Sequence, residues 1–196
     1  WLASNPVDVI VLQETKLPDA DFPAADLQAL GWNSACSGQR TYNGVAILSR
    51  NPATDVVAGI PGFDDEQRRV LAVSLGSLRV IDVYVPNGQT VGSDKFAYKL
   101  RWLDALREYV AAELRRHPHL VVLGDFNVAP EDRDVHDPSA WEGSVHVSPP
   151  ERAALQALLG AGLTDCFRLF EQPEKSFSWW DYRMMAFRRN AGLRID

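Results

Sequence analysis

Two side chains spaced two residues apart, Asp125 and Asn127, close the apolar run Leu120-Val121-Val122-Leu123 in the tetrapeptide Gly124-Asp125-Phe126-Asn127. A run of this length bounded by glycine reads as a buried strand, and the carboxyl end of such a strand is where α/β folds place their chemistry. While the backbone stays extended, residues two apart face the same way, so a carboxylate and an amide share one side. A second acid follows a second run, Val9-Ile10-Val11-Leu12 leading into Gln13-Glu14-Thr15-Lys16, and a third, Asp196, closes Leu193-Arg194-Ile195. Three carboxylates at three strand ends suggest a hard-cation site. Magnesium takes octahedral oxygen ligands, keeps several waters and is held through one or two carboxylates plus substrate phosphate. Glu14 with Asp125 or Asp196 suits it. Zinc would want His or Cys, and none of His117, His119, His136 and His146 stands in an HExxH-like or Cys-paired arrangement. Phosphodiester hydrolysis also needs a water nucleophile, neutralisation of the phosphoryl oxygens and help for the departing oxygen. Asn127 and Tyr84 supply neutral donors without competing for the cation. No GxxxxGK[ST] loop is present to cradle a nucleotide triphosphate.

The elements that must position these residues alternate between strand and helix. A chain of 196 residues, 46% hydrophobic, is long enough for one sizeable core, and length favours a single domain over residues 1–196. No apolar stretch approaches the roughly 20 residues that span a bilayer, and the N-terminal segment lacks signal-peptide character. Cys36 and Cys166 form no close-spaced pair, which points to a reducing cytoplasm. Residues 1–4 read as a helix end, 7–12 as a strand, and 26–30 as a short helix stopped by Gly31. Residues 44–49, 70–75 and 78–84 are strand-like, the last two joined by the two-residue turn Gly76-Ser77. From Phe96 to Arg116, Leu100, Leu103, Leu106, Tyr109, Val110 and Leu114 recur at helical spacing until His117-Pro118. A strand to Leu123 follows, then a Pro- and Asp-rich loop over 129–138, then a helix over 150–159 capped by Gly160. Hairpins with interleaved helices fit a sheet sandwich flanked by helices better than a doubly wound parallel sheet. Charge is polarised along this order. The first thirty residues carry five acids against Lys16, whereas 168–194 carry Lys175 and five arginines against three acids. A chain of net charge −6 can therefore still meet a polyanion locally.

Six motifs in order carry a resemblance: Leu12-Gln13-Glu14-Thr15-Lys16, Asn43-Gly44-Val45-Ala46-Ile47-Leu48-Ser49, Gln67-Arg68-Arg69, Tyr84-Val85-Pro86-Asn87-Gly88, Gly124-Asp125-Phe126-Asn127, and Phe177-Ser178-Trp179-Trp180-Asp181-Tyr182-Arg183 through Gly192-Leu193-Arg194-Ile195-Asp196. Together they resemble the exonuclease III family, which includes abasic-site endonucleases of base-excision repair. The resemblance implies a four-layered α/β sandwich, two mainly antiparallel sheets flanked by helices, using Mg2+ with Mn2+ as a possible substitute. It implies a monomer acting on double-stranded DNA with abasic or 3′-blocked sites, as endonuclease, 3′ to 5′ exonuclease and 3′ phosphatase. By position Glu14 resembles the principal metal ligand, with Asp125 and Asn127 beside it in the metal set. Tyr84 resembles the hydroxyl on the scissile phosphate, Asp125 the proton-transfer carboxylate, Asn127 the amide that orients water or phosphate, and Asp196 the carboxylate that orients a late histidine. Trp179 and Leu193 match walls of the pocket for a flipped, baseless sugar. Arg183 matches a residue entering a groove beside the lesion, Asn87 a phosphate donor, and Arg68 and Arg69 backbone contacts that position the duplex.

Local pattern alone reads some of these differently. A tyrosine ending a strand commonly packs in the core, and only Pro86-Asn87-Gly88 behind Tyr84 turns it towards function. Trp179 and Trp180 face opposite ways in extended backbone, so Trp180 is expected in the core. The four histidines are expected on surface loops, Asp132, Asp134 and Asp137 as turn formers, and Cys166 as a small core hydrophobe. The family's Asn-bearing first strand and its closing Ser-Asp-His motif have no counterpart in 1–196, so the resemblance implies a chain truncated at both ends, with unpaired edges, a tendency to aggregate or fold poorly, and no activity as an isolated fragment. A phosphoesterase acting on RNA or a small phosphorylated molecule, or a DNA-binding module without catalysis, are the alternatives. A glycosidase with paired carboxylates would not need Tyr84, Asn127 or the arginines.

Overall fold

β-branched and aliphatic runs fold as strands, and the pairing of those strands sorts the chain into sheets. In the computed structural model, which describes residue 2 and residues 4–196, β1 (Val9–Gln13), β2 (Asn33–Ser37) and β3 (Val45–Ser49) form an antiparallel sheet in the order β1-β3-β2. The helix end expected over 1–4 rests on Trp1 and Ala3 and lies outside the described residues. A second sheet takes β4 (Thr54–Ala58), β5 (Val70–Leu75), β6 (Leu78–Tyr84) and β7 (Leu120–Asp125) in that order. Leu75 faces Leu78 across Gly76-Ser77, with Gly76 at φ +62°, the left-handed start that a tight hairpin takes from glycine. Along β6 and β7 the bonds run Arg79 N–H to His119 O and Val85 N–H to Asp125 O, so partner numbers rise together and this pairing is parallel.

By its packing the chain divides into two compact units, Trp1–Tyr84 with Glu113–Gly124, and Val85–Ala112 with Asp125–Asp196. In the first unit the two sheets lie face to face. Val45 and Ile47 of β3 meet Leu71 and Val73 of β5 and Val80 of β6 in a buried core, with Val9, Val11, Val121 and Leu123 at its margin. β3 is buried at every residue, as a central strand covered on both faces should be. A short helix, α1 (Ala24–Ala29), lies beside β2. One charge is buried here with full compensation. Arg79 Nε lies 2.6 Å from Glu113 Oε2, and its Nη1 donates to Asp55 O at 2.7 Å.

The second unit holds most of α2 (Asp94–Arg116), then α3 (Pro138–Trp141), α4 (Pro149–Gly160) and a small pair, β8 (Trp179–Trp180) with β9 (Gly192–Leu193). Phe96, Trp102, Leu103, Leu106, Tyr109 and Val110 form the buried stripe of α2. Ala129, Val135, Leu193 and Ile195 make a second core with Trp141 and Val147 at its edge. Asp134, 1% exposed, receives Arg194 Nε at 2.7 Å and pairs with Arg168, while Arg194 Nη2 reaches Asp165 at 2.8 Å.

Two mainly antiparallel sheets and interleaved helices make the expected mixed α/β chain. Asp134 is the turn former expected, its Oδ2 accepting the Glu131 N–H at 3.1 Å, and is also a buried ion-pair hub on which two arginines converge. Three local expectations change. Gly160 is the last residue of α4 and Ala161 follows as its cap. The strand expected over 193–195 contracts to Gly192–Leu193, since Arg194 turns into the Asp134 network. Cys166 is exposed, its thiol turned to Thr164 O, and so is no core residue. Among the described residues no helix is long and apolar enough to cross a membrane.

Candidate functional site

In the first unit the candidate side chains stand where β1 and β6 end. Glu14 follows β1 directly and Tyr84 is the last residue of β6. The Tyr84 hydroxyl donates to Glu14 Oε1 at 2.8 Å, and Lys16 Nζ lies 2.7 Å from Glu14 Oε2. The Lys16 bond first, and the Tyr84 bond second, hold the Glu14 carboxyl below its usual range, so it is an anion at neutral pH. It remains 47% exposed, a charged oxygen donor open to solvent. Such a donor fits a hard divalent cation that keeps much of its water. Among the described residues no group of three or more His, Cys, Asp or Glu gathers in the manner of an all-protein cage.

Local backbone forces Glu14 into this place. Glu14 and Lys16 both take left-handed conformations, at φ +55° and +56°, which cost a non-glycine residue about 1 kcal/mol or more each. Two bonds hold the loop there, Thr15 N–H to Gly44 O at 3.2 Å and Lys16 N–H to Asn43 O at 2.9 Å. A Cβ at position 44 would collide with Thr15 Oγ1, so Asn43-Gly44 acts as the seat of the Glu14 loop. Arg69 serves Tyr84. Its guanidinium lies 4.5 Å over the tyrosine ring and donates to Tyr84 O at 3.1 Å and to Gln67 Oε1 at 2.8 Å. Arg68 is exposed, with its N–H bonded to Gln39 Oε1 at 2.8 Å. Asp82, two residues before Tyr84, is fully buried and accepts from Gln13 Nε2 at 2.7 Å, while its Oδ2 meets no donor. Burial pushes the Asp82 carboxyl well above its usual range, against the opposing Gln13 bond.

In the second unit Asp125 and Asn127 do share one side, as their spacing predicts. Asp125 Oδ1 accepts from the Asn127 N–H at 2.8 Å and Oδ2 from Asn127 Nδ2 at 2.9 Å. Asn127 Nδ2 gives its second hydrogen to Val85 O at 3.0 Å, and Asn127 Oδ1 lies 3.5 Å from Asn87 Nδ2. Asn127 sits at φ +50°, and its carbonyl accepts from Lys99 Nζ at 2.7 Å and from His146 Nδ1 at 2.6 Å. Lys99 also donates to Asn87 O at 3.1 Å and forms a fully buried ion pair with Glu151. Burial first lowers the Lys99 ammonium, with Glu151 and then Asp125 opposing. Glu151 returns bonds from the His146 N–H at 3.0 Å and the Ser148 N–H at 3.2 Å.

His146, Lys99 and Glu151 join the candidate cluster without having been singled out as candidates in the sequence. His146 was expected on a surface loop but is 7% exposed, at φ +74°, because three partners draw it inward. Burial, then the Lys99 charge, hold its ring below the usual imidazole range. Two signals were available. Lys99 interrupts the apolar stripe between Phe96 and Leu103, and Ser148-Pro149-Pro150-Glu151 is a capping box that places Glu151 inward at a helix start.

The other candidates lie elsewhere in this unit. Trp179 pairs with Leu193 across β8 and β9; the tryptophan is 37% exposed, whereas Leu193 is wholly buried. Trp180, half-buried, bonds Asn190 Oδ1 at 3.1 Å and meets Phe187 edge-on at 5.0 Å. It packs in the hairpin loop rather than the main core. Arg183 is exposed, 3.1 Å from Asp181, in a loop where Tyr182, Met184, Met185 and Phe187 are also open. Asp196 is exposed, with its N–H bonded to Ser178 Oγ at 3.0 Å.

Comparison with known proteins accords with this arrangement. The profile described as the Endonuclease/Exonuclease/phosphatase family matches residues 1–196. The Neisseria protein NExo, solved as a 3′–5′ exonuclease and as a 3′ phosphatase bound to a product DNA hairpin, superposes with a TM-score of 0.97 at 50% identity, over 100% of this chain and 76–77% of its own. An AP endonuclease of Archaeoglobus fulgidus superposes at 0.95 with 35% identity, over 100% of this chain and 77% of the other. Exodeoxyribonuclease III of Haemophilus influenzae is 35% identical over 96% of this chain and 76% of the relative.

Proposed function

This chain belongs to the endonuclease/exonuclease/phosphatase family, and from that premise we propose that it hydrolyses phosphoester bonds at damaged or blocked 3′ ends of duplex DNA in repair. The carrying observation is the Asp125–Asn127 clamp. Both amide hydrogens of Asn127 are spent on Asp125 and Val85, so the clamp presents oxygens that take hydrogens. Such a corner suits an attacking water better than a phosphate, which would need donors. In this reading Asp125 accepts the proton of the water as its oxygen attacks phosphorus, and Asn127 Oδ1 orients the other hydrogen. The new phosphorus–oxygen bond forms as the bond to the 3′ oxygen breaks. Removal of a 3′ phosphate, of a 3′ nucleotide, and incision beside an abasic sugar are this one displacement with different groups on phosphorus.

Glu14 is the proposed carboxylate for the divalent cation on which the family generally depends, Mg2+ with Mn2+ as substitute, and that cation supplies charge neutralisation on the phosphoryl oxygens. Tyr84, set by Arg69 and by its bond to Glu14, is the hydroxyl proposed to meet the phosphate. Asn87 is the amide donor. The exposed aromatic and basic residues around Arg183, with Trp179, are proposed to contact DNA. The 50% identity with a 3′ phosphatase and exonuclease, against 35% with an AP endonuclease, favours 3′-end processing over internal incision. The profile match over the whole span supports reading 1–196 as one catalytic domain, and we propose that it acts as a monomer. Two free cysteines suit a reducing cytoplasm.

The test offers the protein, with Mg2+, three duplexes: a nick bearing a 3′ phosphate, a recessed 3′ hydroxyl end, and an internal abasic site, with Glu14→Ala as control. Loss of the 3′ phosphate and of terminal nucleotides, abolished in the control, is expected. Faster cleavage at the internal abasic site would reverse the preference. Activity only on RNA or a small phosphomonoester, or DNA binding without hydrolysis, would overturn the function.

A further inference from the structure

We propose that His146 is a positioning residue, resting on the function above: it holds the Asn87 amide and the Asn127 carbonyl in place for the phosphate, and the buried Lys99–Glu151 pair holds it. A carbonyl only accepts, so the bond from His146 to Asn127 O places the ring proton on Nδ1. The far nitrogen, Nε2, is then an acceptor, and it lies 3.3 Å from Asn87 Nδ2. The orientation of the Asn87 amide is independently set, because its Oδ1 accepts the Gln89 N–H at 3.0 Å. One Asn87 hydrogen is thereby tied to the ring, and the other reaches Asn127 Oδ1 only at 3.5 Å, the limit of bonding, so it is the one a closer acceptor can draw off. With the hydrogens of the Asn127 amide spent on the protein, Asn87 is the donor of this cluster, and His146 aims it.

Neither Lys99 nor Glu151 has exposed side-chain surface, so substrate does not reach them. They act through what they grip. Lys99 binds the carbonyls of Asn87 and Asn127, and Glu151 binds the His146 N–H. A left-handed backbone at a buried histidine persists only where the surroundings over-determine it, and these contacts do so.

A double-mutant cycle between His146 and Asn87 tests this, read as kcat and KM on the 3′-phosphate nick. His146→Ala should lower kcat/KM about tenfold, the worth of a well-made hydrogen bond, but less than about twofold in an Asn87→Ala background. Equal losses in both backgrounds would overturn the proposal. His146→Asn, which tolerates left-handed backbone and keeps a donor near Asn127 without the far ring nitrogen, should show the same dependence on Asn87, and is the variant to read if alanine unfolds the chain. A measurement free of activity accompanies it: the Asn87 side-chain amide resonances, identified by their loss in Asn87→Ala, should move in His146→Asn, and unmoved resonances would refute the contact. Should the parent protein hydrolyse no DNA substrate, the function fails while the resonances still decide the positioning role.

Discussion

At Asp125 the two carboxylate oxygens both receive hydrogens from Asn127, so replacing the acid by its amide would set one NH2 group against another. Asp125→Asn should therefore lower kcat on a 3′-phosphate nick by about 10²-fold or more, the usual worth of a positioned base, in steady-state assays. Asp82 bears on stability instead. Its folded carboxyl is raised by burial, so ionisation is resisted in the folded chain and not in the unfolded one. Stability therefore falls as pH climbs from the unfolded carboxylate range, about 3.9, towards the raised folded value. Asp82→Asn keeps a side-chain oxygen for Gln13 and removes that penalty. Urea midpoints should exceed those of the parent at pH 8 and converge with them near pH 4; an unchanged gap across that range would show that Asp82 does not titrate as its burial requires.

Among the elements, β7 depends on one glycine. Gly124 takes φ +132°, and a Cβ there would meet Val83 O on the neighbouring strand and Asp82 Oδ1 at 3.0 Å. Gly124→Ala should cost about 2–4 kcal/mol through strain and overpacking, read from urea unfolding. The apolar runs of β3, β5 and β6 were plain in the sequence because central strands covered on both faces take mostly apolar residues, and that of β7, half-buried at the sheet edge, because it is apolar from Leu120 to Leu123. Asn33–Ser37 and Thr54–Ala58 were not, since β2 and β4 lie at sheet edges where Asn, Ser, Thr and Asp face water. The same logic explains the site. Glu14, Tyr84, Asp125 and Asn127 hang on strand ends and carry a spacing that can be read, whereas His146 belongs to an irregular segment whose course is set by partners distant in sequence.

For the molecule as a whole, buried charge is concentrated in a few compensated pairs. Among the described residues, Lys99 with Glu151 and Arg79 with Glu113 are the two whose side chains are almost wholly enclosed. Lys99→Met leaves Glu151 buried without its cation and should cost about 3–5 kcal/mol, measured by denaturant unfolding. Adding Glu151→Leu should recover only part of that, because Ser148 and His146 lose their acceptor as well. Hydrolysis should fall in both variants, since Asn87 and Asn127 lose the ammonium that grips their carbonyls. A different liability follows from the backbone. Glu14, Asn127 and His146 all occupy conformations that glycine enters freely and they do not. Selection of this chain in the laboratory for heat tolerance alone would accordingly enrich glycine at position 14, the exposed one of the three, while the buried bonds of Asn127 and His146 keep theirs in place, and the sturdiest survivors would have discarded the proposed cation carboxylate.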